Sequence, residues 1–121
     1  MFFIATATLA AFVHLYIFYL ESIAWSQRKT QKLFGVPKDK QDCQQLKLFA
    51  FNQGFYNLFL ALAVIMGLYF KADLLALYAL TSMLLAATVL ILAAPKLKAA
   101  AFKQGLFPLI ALLIYFLCKS R

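Results

Sequence analysis

Apolar residues in this chain come in four long runs, without the alternation of a strand or the three-to-four spacing of an amphipathic helix. The runs cover residues 2–25, 48–70, 72–94 and 104–118. Apolar stretches of about 18 residues or more are typical of helices that cross a bilayer. The pattern therefore predicts an all-α fold, an integral membrane bundle of four transmembrane helices, in a single domain that spans residues 1–121.

The fourth run gives the weakest of these signals. Its residues, 104–118, make a helix of only about 22 Å at 1.5 Å per residue. Lys103 and Lys119 flank the run and can extend their aliphatic stems toward the two interfaces, which favours a full span. A short interfacial or re-entrant segment is the alternative.

Glycine and proline mark where the spans end. We expect the first helix to continue as a polar helix through Lys29 and to stop at the Phe-Gly-Val-Pro sequence of 34–37, with Gly35 in the left-handed conformation. Pro95 marks the end of the third span. The link at 71–73 is so short that spans two and three form a tight antiparallel hairpin.

Composition and charge agree with a membrane protein. The chain is 65% hydrophobic and 13% charged, and a soluble domain of this size could not bury that much apolar surface. The net charge of +8 does not indicate a nucleic-acid partner, because the basic residues flank the apolar runs. Nine of them lie in the connections 26–47 and 95–103, namely Arg28, Lys29, Lys32, Lys38, Lys40, Lys47, Lys96, Lys98 and Lys103.

The opposite side of the membrane carries only Lys71, Lys119 and Arg121. The positive-inside rule therefore predicts a multi-pass protein of the cell (inner) membrane, with both connections in the cytoplasm and both termini outside it. On this topology Cys43 and Cys118 lie on opposite sides, so we expect no disulfide and no metal site. No cofactor is expected either.

Two segments, 47–62 and 98–113, align without gaps and are identical at seven of sixteen positions. They share a Gln-Gly pair, Gln53-Gly54 in the first and Gln104-Gly105 in the second. Spans two and four run in the same direction, so the pattern favours a parallel repeat about an axis along the membrane normal. Coincidence between two helix entries is the alternative.

Polar side chains within the spans converge on the cytoplasmic half of the bundle. Ionisable and amide groups in hydrocarbon are costly unless they face protein or water, so we predict one ligand pocket lined by His14, Glu21, Asn52, Gln53, Asn57 and Gln104. The alternative is that these groups only hold helices together through hydrogen bonds, with the glycines allowing close approach.

The leading functional hypothesis is an intramembrane polar pocket that binds or transports a small amphipathic, lipid-like molecule. The first alternative is an intramembrane enzyme that performs isomerase-like acid–base chemistry on a lipid-like substrate, with Glu21 or His14 as acid or base. The second is a structural or accessory subunit. Membrane lipids are the expected partners, a homo-oligomer is left open, and no catalytic residue is assigned.

Several sequence segments resemble a known family. They are His14-Leu-Tyr-Ile-Phe-Tyr-Leu-Glu21, Trp25, Phe34-Gly35, Asn52-Gln-Gly-Phe-Tyr-Asn57 and Gln104-Gly-Leu-Phe-Pro108. Over nearly the whole chain they resemble the bacterial and fungal membrane family called domain of unknown function 1304, and the stretch 52–57 is the most specific element. The resemblance implies a small multi-span membrane protein, and it implies no activity.

Overall fold

The computed structural model describes residues 1–119, and within this range it contains helices and no strand. The helices are α1 (Phe2–Phe18, continued by a π-helical turn Tyr19–Ile23), α2 (Arg28–Leu33), α3 (Gln44–Tyr69), α4 (Asp73–Ala93) and α5 (Lys98–Lys119). Short 3-10 turns at Lys38–Lys40 and Pro95–Leu97 precede α3 and α5. Arg121, which belongs to the predicted charge asymmetry, lies outside the described residues.

The four long helices form an antiparallel bundle. Both α1 and α4 pack against α3 and α5, so α1 and α4 lie diagonally across the bundle. All four are long and apolar enough to cross a membrane, the first of them including its π-helical turn. The predicted all-α bundle of four membrane-spanning helices is confirmed.

The fourth helix is longer than its apolar run. It begins at Lys98, six residues before Gln104, and it has 22 residues, which corresponds to about 33 Å. This length matches a hydrocarbon core of about 30 Å. The first turns, in which Lys98 and Lys103 flank the apolar residues 99–102, therefore supply the length that the apolar run alone does not.

Small residues fill the centre of the bundle while large ones face outward. The fully buried positions include Ala7, Ala10, Ala61, Ala79 and Ala111, together with Val64, Leu80 and Met83. Large side chains such as Phe2, Phe12 and Tyr78 are more than half exposed. This distribution is typical of membrane bundles, in which small residues bring helices close together and lipid solvates the large apolar ones.

The connection between α1 and α3 corrects one expectation. The first helix does not continue through Lys29, because the chain turns at 24–27 and a separate helix, α2, begins at Arg28. The predicted stop is confirmed: Gly35 has φ +68°, its N–H donates to Lys32 O, and the N–H of Val36 donates to Gln31 O. These two bonds make a Schellman motif.

The end of the bundle that carries α2 and the turn Pro95–Leu97 is called the basic end below. A Cβ added at Gly35 would lie 3.2 Å from Leu97 Cδ2, so α2 reaches across the bundle to that turn. Gln31 is buried, and its Nε2 donates to Gln41 O at 2.8 Å. The loop is therefore a folded cap on the basic end.

The opposite end is called the hairpin end. Here α3 closes with Lys71 in the left-handed conformation, at φ 54°, and the N–H of Ala72 donates to Gly67 O. A Cβ at Gly67 would lie 2.6 Å from Ala76 N. Because Gly67 has no side chain, its backbone can contact Ala76 of α4 close to the turn that joins the two helices.

Candidate functional site

The candidate site is built on the irregular end of the first span. Within Tyr19–Ile23 the helix widens to a π-helical turn, and the N–H of Ala24 donates to Tyr19 O, five residues back, at 2.9 Å. One extra residue in a turn moves the following side chains about 100° around the axis. Such turns occur frequently at functional sites. This one contains Glu21, whose side chain lies against α3 and is 7% exposed.

Glu21 has a single polar partner within residues 1–119. Asn57 Nδ2 donates to Glu21 Oε2 at 3.4 Å and to the backbone carbonyl of Gln53 at 3.1 Å. Asn57 is itself buried. In this part of the chain no basic side chain pairs with Glu21, because the ion pair found there joins Arg28 to Asp42. A nearly buried carboxyl group is thus held by one long hydrogen bond from an amide.

A glycine allows this approach of α1 to α3. A Cβ added at Gly54 would overlap Ser22 Oγ and would lie 3.1 Å from Glu21 Cβ. Beside it, Ser22 Oγ donates to Phe51 O at 2.8 Å. The serine fixes the depth of the two helices relative to each other, and the missing side chain at 54 leaves room for Glu21.

Glu21 also lines a groove of about 430 Å³ at the basic end, between the end of the first span and the start of α3. The other lining residues are Ser22, Ile23, Trp25, Ser26, Gln44, Lys47, Leu48 and Phe51. Trp25 is 9% exposed and packs on Phe34, with ring centroids 5.5 Å apart. The groove therefore combines an inner carboxyl group, polar groups near its mouth and apolar walls.

His14 lies apart from this groove. It precedes Glu21 by seven residues, which is about 10 Å along the axis, and it is fully buried. Its Nδ1 donates to Ala10 O at 2.9 Å, since a carbonyl can only accept. Within the described chain Nε2 has no hydrogen-bond partner. His14 is thus a buried group in mid-span that does not contact the carboxyl group.

The remaining predicted residues are divided among several surfaces. Asn52 and Gln53 have exposed side chains, and Gln53 contributes to the site through its backbone carbonyl. Gln104 lies half-buried on α5. The structure thus brings together Glu21, Asn57 and the Gln53 carbonyl, but it does not bring His14, Asn52 or Gln104 into that contact.

Sequence reasoning left several groove residues out of the pocket. Ser22, Trp25, Gln44 and Lys47 line the groove but are not among the predicted pocket residues, and Lys47 was interpreted only as a topology signal. A usable signal was the glycine in the Gln53-Gly54 pair, because a glycine inside a span marks a close helix contact. Residues near Glu21 on the facing helix start were then the natural candidates.

A second polar cluster lies at the hairpin end. Tyr115 Oη donates to Asp73 Oδ2 at 3.0 Å, and Lys119 Nζ donates to Tyr115 Oη at 3.2 Å. Phe3 packs on Tyr115, with ring centroids 5.1 Å apart. This cluster ties the ends of α1, α4 and α5 together, and here the carboxylate does have a hydroxyl and an ammonium group nearby.

Comparison with known proteins places the chain. A family model described as a protein of unknown function, DUF1304, matches residues 8–116. The chain belongs to the DUF1304 family. This agrees with the resemblance seen in the sequence, and the matched region includes Glu21, Asn57 and the whole groove.

The DUF1304 match is accompanied by one weaker similarity. The uncharacterized protein YpaA of Lactococcus lactis subsp. lactis (strain IL1403) is 30% identical over 69 residues, which are 57% of this chain and 58% of that protein. The similarity thus spans somewhat more than half of the relative. No solved structure matches the chain. Neither the family nor the relative carries a described activity, so function must be argued from the site.

Proposed function

We propose that this protein binds a small amphipathic, lipid-like molecule in the groove at the basic end, with the polar head beside Glu21. The observation that carries the proposal is that this side chain is buried with few hydrogen-bond partners. It is 7% exposed, lines the groove, and has one long hydrogen bond and no basic partner within residues 1–119. A carboxyl group taken out of water needs hydrogen-bond donors, and a ligand head in the groove would supply one.

The walls of the groove suit an apolar tail. Ile23, Leu48 and Phe51 line it and are each about half exposed or more. In a bilayer these faces meet acyl chains, so a tail lying on them would remain in apolar surroundings. The combination of one inner polar group and apolar outer walls is typical of ligand sites, in which few polar groups fix orientation.

The acid–base alternative has less support. Acid–base catalysis by two groups requires both of them within hydrogen-bond reach of the reacting atoms. His14 lies about 10 Å from Glu21 along the helix, and within residues 1–119 Lys47, the other ionisable residue that lines the groove, forms no ion pair with Glu21. Binding or transport is therefore the function that the geometry favours.

We also propose that the chain contains a parallel repeat of two helical hairpins. Four pairs of positions separated by 51 residues are buried in both members: Ala50 and Ala101, Gly54 and Gly105, Asn57 and Pro108, Ala61 and Leu112. Both glycines also contact the preceding span, since a Cβ at Gly105 would lie 2.9 Å from Ala87 Cβ. In this repeat the site has no copy, because proline replaces Asn57.

Site-directed photo-crosslinking tests the binding proposal without assuming a ligand. A photoreactive benzoyl-phenylalanine replaces Phe51 in the groove wall or, as a matched control, Phe116, which is 60% exposed near the hairpin end. After irradiation in native membranes, mass spectrometry of the purified protein reads the adducts. We expect a discrete adduct at position 51 that Glu21→Leu diminishes, and a broad lipid mixture at position 116. The same mixture at both positions would refute the proposal.

A further inference from the structure

We infer that the molecule bound in the groove is electrically neutral and that its head donates a hydroxyl group to Glu21. This inference rests on the proposed function and adds the chemical class of the ligand. Its basis is the order of charged groups along the groove. This order is unfavourable for a ligand head group of either positive or negative charge.

A cationic head must pass basic residues to reach the carboxyl group. Lys47 lines the groove and is exposed, six residues before Gln53 on the same helix. The two connections at this end carry eight further Lys or Arg residues. Like charges close together repel, and the repulsion is strongest where water is excluded. Charge repulsion by these basic residues therefore disfavours an ammonium head group at the mouth of the groove.

An anionic head meets the opposite difficulty. It is attracted to Lys47 but would have to lie beside the Glu21 carboxyl group, where it would place two acids together in a poorly solvated site. The single amide donor, Asn57, is already shared between Glu21 and the Gln53 carbonyl. A carboxylate or phosphate head would thus find no free donor at the inner end.

A zwitterionic phospholipid whose acyl chains point toward the bilayer centre fits poorly because of the order of its charged groups. Ser22 bonds to Phe51 O, so Glu21 lies deeper in the bundle than Lys47, which lies in the first turn of α3. In phosphatidylethanolamine the phosphate lies between the acyl chains and the amine, so in this orientation the amine is the outermost group. Pairing the amine with Glu21 while the phosphate meets Lys47 would reverse that order.

A hydroxyl-bearing neutral head satisfies all of these conditions. Its O–H donates to the carboxyl oxygen of Glu21 that Asn57 leaves free, and it carries no charge past Lys47. Ser26 and Gln44 line the same groove and offer both donors and acceptors to a second hydroxyl group. Long-chain alcohols and monoacylglycerols belong to this class.

The single tryptophan of the chain, Trp25, lines the groove and reports its occupancy. The probes are an ω-bromo fatty alcohol, amine and acid of equal chain length, because bromine quenches indole fluorescence on contact. They are titrated into the purified protein in detergent, and the unbrominated alcohol serves as competitor. We expect saturable quenching that is strongest for the alcohol and is reversed by the competitor.

Variants distinguish an effect of the ligand's head group from an effect on side-chain packing. Glu21→Gln keeps an acceptor oxygen, so alcohol binding should weaken by less than about threefold, whereas Glu21→Leu removes the acceptor and should weaken it about tenfold or more. Asp73→Asn makes the same carboxylate-to-amide change at the hairpin end and should have no effect. Lys47→Gln should strengthen amine binding relative to alcohol binding.

Two kinds of result would contradict the inference, and they differ. Tightest binding of the amine or the acid, lost in Glu21→Gln or in Lys47→Gln respectively, would overturn the hydroxyl assignment and leave the proposed binding function standing. Absence of saturable quenching with all three probes would overturn the binding function itself, and the assignment with it.

Discussion

Replacement of Gly54 by alanine tests how closely the first span must approach α3. The added methyl group would overlap Ser22 Oγ and would lie 3.1 Å from Glu21 Cβ and from Ser22 Cβ. The hydroxyl can rotate away, but only by giving up its bond to Phe51 O. The methyl group would then still crowd both Cβ atoms, so part of the strain cannot be relieved by rotation.

The magnitude follows from three contributions. Overpacking of a tight contact costs about 1–3 kcal/mol, and an interhelical hydrogen bond in a membrane protein contributes about 0.6 kcal/mol on average. Alanine is about 1 kcal/mol more favourable than glycine in a helix interior, so this contribution opposes the other two. We therefore expect Gly54→Ala to lower the free energy of unfolding by about 0.5–2.5 kcal/mol, measured by reversible SDS unfolding in mixed micelles with helical circular dichroism as the signal.

A double-mutant cycle with Ser22→Ala identifies the cause. Without the hydroxyl, the alanine at position 54 has less to displace, so the two substitutions together should cost less than the sum of the single changes, by about 0.5 kcal/mol or more. Strict additivity, or a Gly54→Ala protein as stable as the wild type, would refute the close contact between the two helices.

Three further predictions follow from the hairpin end and from the charge distribution. Gly67→Ala should destabilise the protein more than Gly54→Ala in the same unfolding assay. The added methyl group would lie 2.6 Å from the Ala76 backbone nitrogen, which cannot rotate away. An equal or smaller loss in the free energy of unfolding would contradict this. Lys71→Gly should raise the free energy of unfolding by up to about 1 kcal/mol, since the left-handed conformation (φ 54°) is unfavourable for a residue with a Cβ, and a loss of stability would count against it. In intact cells a membrane-impermeant maleimide should label Cys118 and leave Cys43 unlabelled, and the reverse pattern would refute the predicted orientation.

Much of the fold could be predicted because the membrane leaves few choices. Apolar runs long enough to span a bilayer must be helices, since every backbone polar group has to be satisfied internally. Gly35 and Pro95 marked true helix ends for local reasons, a left-handed φ and a missing N–H. The prediction that the first helix continues as a polar helix was wrong. The turn at 24–27 follows a π-helical turn, for which the sequence has no simple local signal.

The site was less predictable because it depends on how the helices rotate. Asn57 and Gln53 are four residues apart, which places them on the same side of a helix, yet the contact with α1 is so narrow that Asn57 is buried and the Gln53 side chain is exposed. Glu21 is turned toward α3 within a π-helical turn, which shifts side chains by about 100° relative to a regular helix. Sequence spacing alone gives the depth of a polar group but not this direction.

The most direct test of the central claim is an experimental structure of the protein in nanodiscs formed with lipids from its native membrane. The account predicts elongated density in the groove, with its polar end within hydrogen-bond distance of a Glu21 carboxyl oxygen and its tail along Leu48 and Phe51. A groove closed by the protein's own side chains, or a Glu21 side chain turned away from α3 toward lipid, would contradict it.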